Sequence, residues 1–202
     1  MDKQAKLGIL GGMGPQATQV FYQFVLDRTD AAKDQEHLPA VILSDTGMPD
    51  RTAAILSGDT EGVYRRLLED AKLLEGCGCT ALAAQGKKRP GILATDGTIQ
   101  TGLYQRECAA VGLEAVSPGP ETQRLVMSVI YDEIKRGETG SRDKFARIDR
   151  AIRRLGCDCA VLACTELSVF STYHPLPPFY VDAMAVLAEK AVTACGYPLR
   201  AI

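Results

Sequence analysis

Two stretches of this chain occur twice. GILGGMGPQAT (Gly8–Thr18) resembles GILATDGTIQT (Gly91–Thr101), at an offset of 83 positions. LLEGCGCTALAA (Leu73–Ala84) resembles RRLGCDCAVLAC (Arg153–Cys164), at an offset of 80. Two halves with the same order of elements are a duplication, not a solenoid array. Each half opens with a short apolar strand, a turn of small residues and a helix. The pattern predicts strands at Leu7–Leu10, Ala40–Ser44 and Thr80–Ala84, then at Gly91–Ala94, Leu113–Val116, Ala160–Ala163 and Phe179–Val181. It predicts helices at Pro15–Arg28, Thr60–Glu75, Thr98–Val111, Glu121–Arg136, Asp143–Leu155 and Ala183–Cys195. Strands alternating with helices define an α/β fold with mostly parallel sheets flanked by helices. The expected division is a discontinuous first lobe, residues 1–86 plus 167–202, around a second lobe, residues 87–166.

The repeat exposes an irregularity. After Cys164 the second half runs on for 38 residues, whereas only six separate Ala84 from the strand at Gly91. Parallel strands need a crossover of about a dozen residues or more, usually a helix. AQGKKRP can form a hairpin, but that would make one strand antiparallel and break the symmetry.

Composition narrows the setting. The chain is 46% hydrophobic and 24% charged with net charge -2, and no basic stripe with aromatics marks a nucleic-acid partner. Its apolar runs fall short of spanning length and MDKQAKLGILGG lacks a signal-peptide core, so no membrane association is expected. Seven cysteines, an odd number, read as reduced thiols of a cytoplasmic protein.

Cys164, in AVLACTELS, stands where a buried strand ends and a polar turn begins. In parallel sheets ligands bind at those carboxyl ends. A helix starting near Thr165 would offer free N–H groups that lower a thiol pKa and hold a carboxylate. Most free cysteines, however, are small buried hydrophobes. The pairs Cys77/Cys79 and Cys157/Cys159 have C-x-C spacing, which is not the usual zinc-ligand spacing, and no metal is expected. GGMGPQA contains G-x-G-x-x-A after a strand, but no acidic residue ends a second strand about 20 residues on. A tight turn bringing amides to a small anion fits it equally well. Arg51 follows the second strand and Lys135 lies at a helix end; either can be a solvated charge, and two cations near a thiol would suit a dicarboxylate. His37 and His174 lie in loop-like stretches without a hydrolase triad pattern.

GILGGMGPQAT, MPDRTAAIL, GILATDGTIQTGLYQ, YDEIKRG and CDCAVLACTELS together resemble the signatures of the aspartate/glutamate racemase family, enzymes that need no pyridoxal phosphate. The resemblance implies two pseudo-symmetric lobes, an active site in the cleft between them, no cofactor, a homodimer and a small dicarboxylic amino acid as substrate. It also implies a cysteine from each lobe, one on each face of the substrate α-carbon. Carried over by position, Cys164 is the second-lobe cysteine. Thr165 resembles the residue that holds the α-carboxylate. Met13 resembles a pocket residue, Thr95 and Thr98 further polar contacts, and Arg51 and Lys135 the cations near the distal carboxylate.

The first-lobe cysteine is the departure. The family carries it in a Cys-Asn-Thr segment before a crossover helix; here the corresponding position is Ala84 and the chain passes straight to QGKKRPG. Either the segment is deleted, leaving one catalytic cysteine, or the sequence as written omits it. Omission is the expectation, because losing a crossover from a buried parallel sheet should disable folding. The implied reaction is 1,1-proton transfer at Cα of aspartate or glutamate, which needs a base on one face and an acid on the other. The alternatives are a single-cysteine decarboxylase of malonates in the same superfamily, and an inactive protein that binds acidic amino acids.

Overall fold

A computed structural model describes residues 6–65, 87–110 and 112–201 of the 202-residue chain, and divides it into two compact units. The first comprises Met1–Ala84 with Met184–Ile202, the second Gln85–Ala183. The expected boundary at 166/167 therefore moves to 183/184, and the cause lies in the sheet of the second unit.

In the first unit β1 (Leu7–Gly11) pairs in parallel with β2 (Ala40–Ser44), Leu7 opposite Ala40 and Gly11 opposite Ser44. Helix α1 (Pro15–Arg28) connects them, with proline in its first turn where no N–H is needed. A short helix, α2 (Arg51–Ser57), follows β2, and Asp50 caps it by accepting the Ala53 N–H at 2.9 Å. The C-terminal helix α8 (Ala183–Ala194) sends Ala188, Ala191 and Val192 into the core with Leu7, Ile9, Val25 and Leu38. Residues 61–65 are helical. Residues 66–75 of the helix expected over Thr60–Glu75, the strand Thr80–Ala84, Cys77 and Cys79 lie outside the described residues.

In the second unit β3 (Pro90–Leu93), β4 (Cys159–Leu162) and β5 (Tyr180–Asp182) form a parallel sheet in that order. β5 is bonded directly to β4, Ala160 opposite Tyr180 and Leu162 opposite Asp182. That ladder carries residues 167–183 into this unit. The strand expected at Leu113–Val116 contracts to a bridge from Val116 to Gly91, since Pro118 has no N–H to extend a ladder. β3 thus takes partners on both edges, β4 on one and Val116 on the other.

The helices of this unit are more broken than their periodicity predicts. Gly102, at φ +61°, divides the helix expected over Thr98–Val111 into α3 (Asp96–Thr101) and α4 (Leu103–Ala110). The helix expected over Glu121–Arg136 is α-helical only as α5 (Pro120–Ser128). It then widens into a π turn (Val129–Glu133) and tightens into a 3-10 turn (Ile134–Arg136). Buried Glu133 accounts for the distortion, because its carboxylate accepts the Ser141 N–H at 2.7 Å and pairs with Lys144. α6 (Arg142–Arg154) buries Phe145, Ile148 and Ile152 along one face, each contributing about 1.5–3 kcal/mol by burial. α7 (Thr165–Tyr173) follows β4 and buries Leu167, Val169 and Phe170. No described helix is long and apolar enough to cross a membrane.

Candidate active site

The register of the second sheet gathers polar residues at its carboxyl edge. Leu93 and Leu162 are partners, and the Ala163 N–H donates to the Leu93 carbonyl at 2.8 Å. Thr95 and Cys164 therefore leave adjacent strands at the same edge, with Asp182 at the end of the third. Thr95 caps α3, and its hydroxyl lies 3.2 Å from that of Thr98. Cys164 occupies the capping position of α7 with extended backbone and makes no side-chain cap of its own.

Its thiol turns instead to Glu166. The Cys164 S–H donates to Glu166 Oε2 at 2.9 Å, and the Thr165 hydroxyl donates to the same oxygen at 3.1 Å. Glu166 is 5% exposed. Its other oxygen, Oε1, faces Lys135 Nζ at 3.8 Å, and that ammonium also sits 4.3 Å above the Tyr131 ring. The π and 3-10 turns after α5 deliver Lys135 to this carboxylate. Ser168, fully buried one turn along α7, donates to Asp182 Oδ1 at 2.7 Å.

The expectation that the helix start lowers the Cys164 thiol is corrected here. Burial, followed by the charge and hydrogen bond of the Glu166 carboxylate, pushes the thiol far above its ordinary range. The Glu166 backbone N–H and the Lys135 charge work downward and are outweighed. Tyr104 on α4 is raised as well, first by burial and then by the charges of Cys164, Cys108 and Asp182. A helix N-terminus favours anions, but here that preference is met by an acid of the helix's own first turn.

In the first unit Met13 and Arg51 come together, with Arg51 Nη2 donating to the Met13 carbonyl at 2.7 Å. The glycines of this turn serve packing. A Cβ on Gly11 would meet the Thr18 side chain at 2.3 Å, and one on Gly12 the Asp45 backbone at 2.3 Å. Thr18 Oγ1 accepts the Gly12 N–H at 2.9 Å. The G-x-G-x-x-A spacing thus reports close approach to α1 and to the end of β2.

The predicted site residues form two groups, Met13 with Arg51 in the first unit and Thr95, Thr98, Lys135, Cys164 and Thr165 in the second. Glu166, Ser168, Asp182 and Tyr104 were missed. Only Glu166 carried a local signal, an acid two residues past the cysteine. Position Ala84 lies outside the described residues, and among those described no cluster of three or more histidine, cysteine or acidic side chains could hold a metal. A cavity of about 680 Å³ opens at the far end of α7, lined by Phe145, Phe170, Tyr173, His174 and Tyr180. On its charged wall Asp149 is paired with Arg153 and Tyr180, and no site residue lines it.

Parallel strands ending in a thiol, hydroxyls and a buried carboxylate define an α/β protein with polar and nucleophilic side chains gathered at the carboxyl edge of the sheet. The Asp/Glu/hydantoin racemase family model matches residues 74–191, and the chain belongs to that family. Among solved structures it is similar to the aspartate racemase of Picrophilus torridus, with TM-score 0.77 and 25% identity over 97% of this chain and 96% of that one. An aspartate racemase homologue from Pyrococcus horikoshii OT3 shares the fold, with TM-score 0.70 and 18% identity over 95% and 99% of the two chains. An uncharacterised protein in the pnlA 3′ region of Pectobacterium carotovorum subsp. carotovorum is 27% identical over 116 residues, 56% of this chain and 77% of that protein.

Proposed function

We propose that the protein is a cofactor-independent racemase of an acidic amino acid, in which Cys164 exchanges the Cα proton on one face. The observation that carries this reading is Cys164 itself, a thiol at the end of a parallel strand with hydroxyls of Thr95, Thr98 and Thr165 around the same edge. Membership of the racemase family and similarity to an aspartate racemase support it. Thr165 receives the α-carboxylate at the head of α7, and Lys135, in the same unit, attracts the distal carboxylate; Arg51 keeps the role that the resemblance implies for it. A homodimer and a cytoplasmic setting complete the reading.

One observation favours a second reading. The repeat puts Ala84 where the first-lobe cysteine belongs, and a single thiol suits an enzyme that protonates a carbanion left by decarboxylation of a malonate.

Incubating L-aspartate, D-aspartate and both glutamates in heavy water separates the two. The racemase washes deuterium into Cα with loss of optical purity, and Cys164→Ser lowers the rate by about 10²–10⁴-fold, the usual weight of a positioned acid or base. Undiminished racemisation by that variant removes Cys164 from the mechanism. Carbon dioxide release from a substituted malonate, with no exchange into either amino acid, replaces the racemase by the decarboxylase.

A further inference from the structure

Glu166 has no counterpart among the residues that the sequence singles out, yet it is the group in contact with the reacting sulfur. It is 5% exposed and accepts hydrogen bonds from the Cys164 thiol at 2.9 Å and the Thr165 hydroxyl at 3.1 Å on one oxygen. Its other oxygen faces the Lys135 ammonium at 3.8 Å. A carboxylate buried this deeply requires a cation or several donors, and here it has both. We infer that Glu166 is a positioning residue that holds Cys164 as the protonated thiol and so readies it as a proton donor to substrate carbon.

The physical argument is one of charge. A thiolate at Cys164, itself half-buried, would lie 2.9 Å from the buried Glu166 carboxylate, and like charges that close are not both supported. Keeping the proton on sulfur leaves one negative charge, matched by Lys135. The other groups act less directly. Tyr104, on α4, feels the charges of Cys164 and Asp182 and is itself held in its protonated form. Burial and Glu166 both drive the thiol upward, and only Lys135 and a backbone N–H oppose them.

The step balances without a co-reactant. The Cys164 S–H bond breaks, the carbanion's electron pair forms a C–H bond, and sulfur keeps its bonding pair as a thiolate. Glu166 keeps the proton on sulfur until a carbanion, a far stronger base than the thiolate, is there to take it, and the destabilised thiolate then promptly recovers a proton, in a racemase from Cα of the enantiomer whose hydrogen faces it. This inference deepens the proposed function and rests on it only for the proton's destination.

The test needs no substrate. Carboxamidomethylation of Cys164 by iodoacetamide, followed by peptide mass mapping so that the other cysteines do not interfere, is measured against pH in the intact protein and in Glu166→Gln. Labelling reports the thiolate fraction. In Glu166→Gln the profile should fall by at least one pH unit, about tenfold more labelling at a fixed pH below the midpoint. In Lys135→Met, which keeps Glu166 and removes its cation, it should rise. A Glu166→Gln protein with unchanged circular dichroism and no fall in the profile overturns the inference. Should that variant fail to fold, a Lys135→Met profile that stays put or falls does the same. Because no turnover is measured, absence of racemisation would count against the proposed function and leave this result standing.

Discussion

Replacing Gly140 by alanine probes the packing that holds α7, and with it Cys164, in place. Gly140 lies at φ +85°, and an added Cβ would meet Phe170 Cδ2 at 2.5 Å, Cε2 at 3.0 Å and Ile134 Cδ1 at 3.1 Å. The ring is held between two neighbours. Phe170 is 1% exposed, stacks on Phe145 with centroids 4.5 Å apart, and touches His174 on its other side. Two costs add. A left-handed backbone costs an L-residue about 1–2 kcal/mol, and forcing a methyl into a packed core costs about 1–3 kcal/mol more. The sum, about 2–5 kcal/mol, corresponds to a fall in Tm of about 5–15 °C for a chain of this size. Gly137 supplies the control, since it has φ +86° with nothing within 4 Å of the added Cβ. Gly137→Ala should therefore show the backbone cost alone. Urea unfolding of both variants, followed by far-UV circular dichroism, isolates the steric cost as their difference. Equal destabilisation of the two would refute the argument that Phe170 is locked.

Two further outcomes follow from the same structure. Burial, the largest influence on Asp149, raises its carboxyl, but hydrogen bonds from Arg153 and Tyr180 and the charges of Arg153 and Arg150 together hold it below its ordinary range. A depressed carboxyl stabilises the fold above its unfolded pKa of about 4 and loses that contribution as pH falls through the folded value. Asp149→Asn should cost about 1–3 kcal/mol at pH 7, with the gap to the parent closing below pH ~4; a gap constant down to pH ~2 rejects the assignment. Intact mass of the purified protein decides the link after Ala84. A value of 21.7 kDa fixes it as written, and one heavier by about 3 kDa, roughly a helix-and-strand crossover, restores the omitted segment.

Elements whose signals are local were legible in the chain. α1 begins at Pro15 and ends at Arg28 as read, because a turn of small residues followed by proline marks its start without tertiary help. Cys164 at the end of a strand and the start of a helix was legible for the same reason. The misses are non-local. α2 spans only Arg51–Ser57, too short for a period to emerge. The π turn exists because Glu133 reaches Ser141 and Lys144 across a loop. Residues 167–183 belong with the second unit because β5 pairs with β4, and pairing partners cannot be read from either strand alone. Glu166 stood in plain view two residues beyond the cysteine. An acid in a first helical turn ordinarily complements the dipole, and nothing local distinguishes that from a carboxylate buried under Lys135.

The protonation of Cys164 bears on which reaction the site can run. A racemase must remove a proton from one face and return it to the other, so a site whose thiol starts protonated, as inferred for Cys164, needs its base elsewhere. The resemblance implies a first-lobe cysteine as that base, and this chain has Ala84 at the matching position. With the crossover restored, a second thiol supplies the base and Cys164 starts the cycle as the acid. Without it, the chain keeps the half of the machinery that protonates a carbanion, and the substrate must generate that carbanion by losing something other than a proton. Carbon dioxide from a malonate meets that requirement and aspartate does not. A mass of 21.7 kDa, together with a Cys164 labelling profile that falls in Glu166→Gln, would therefore move the decarboxylase ahead of the racemase.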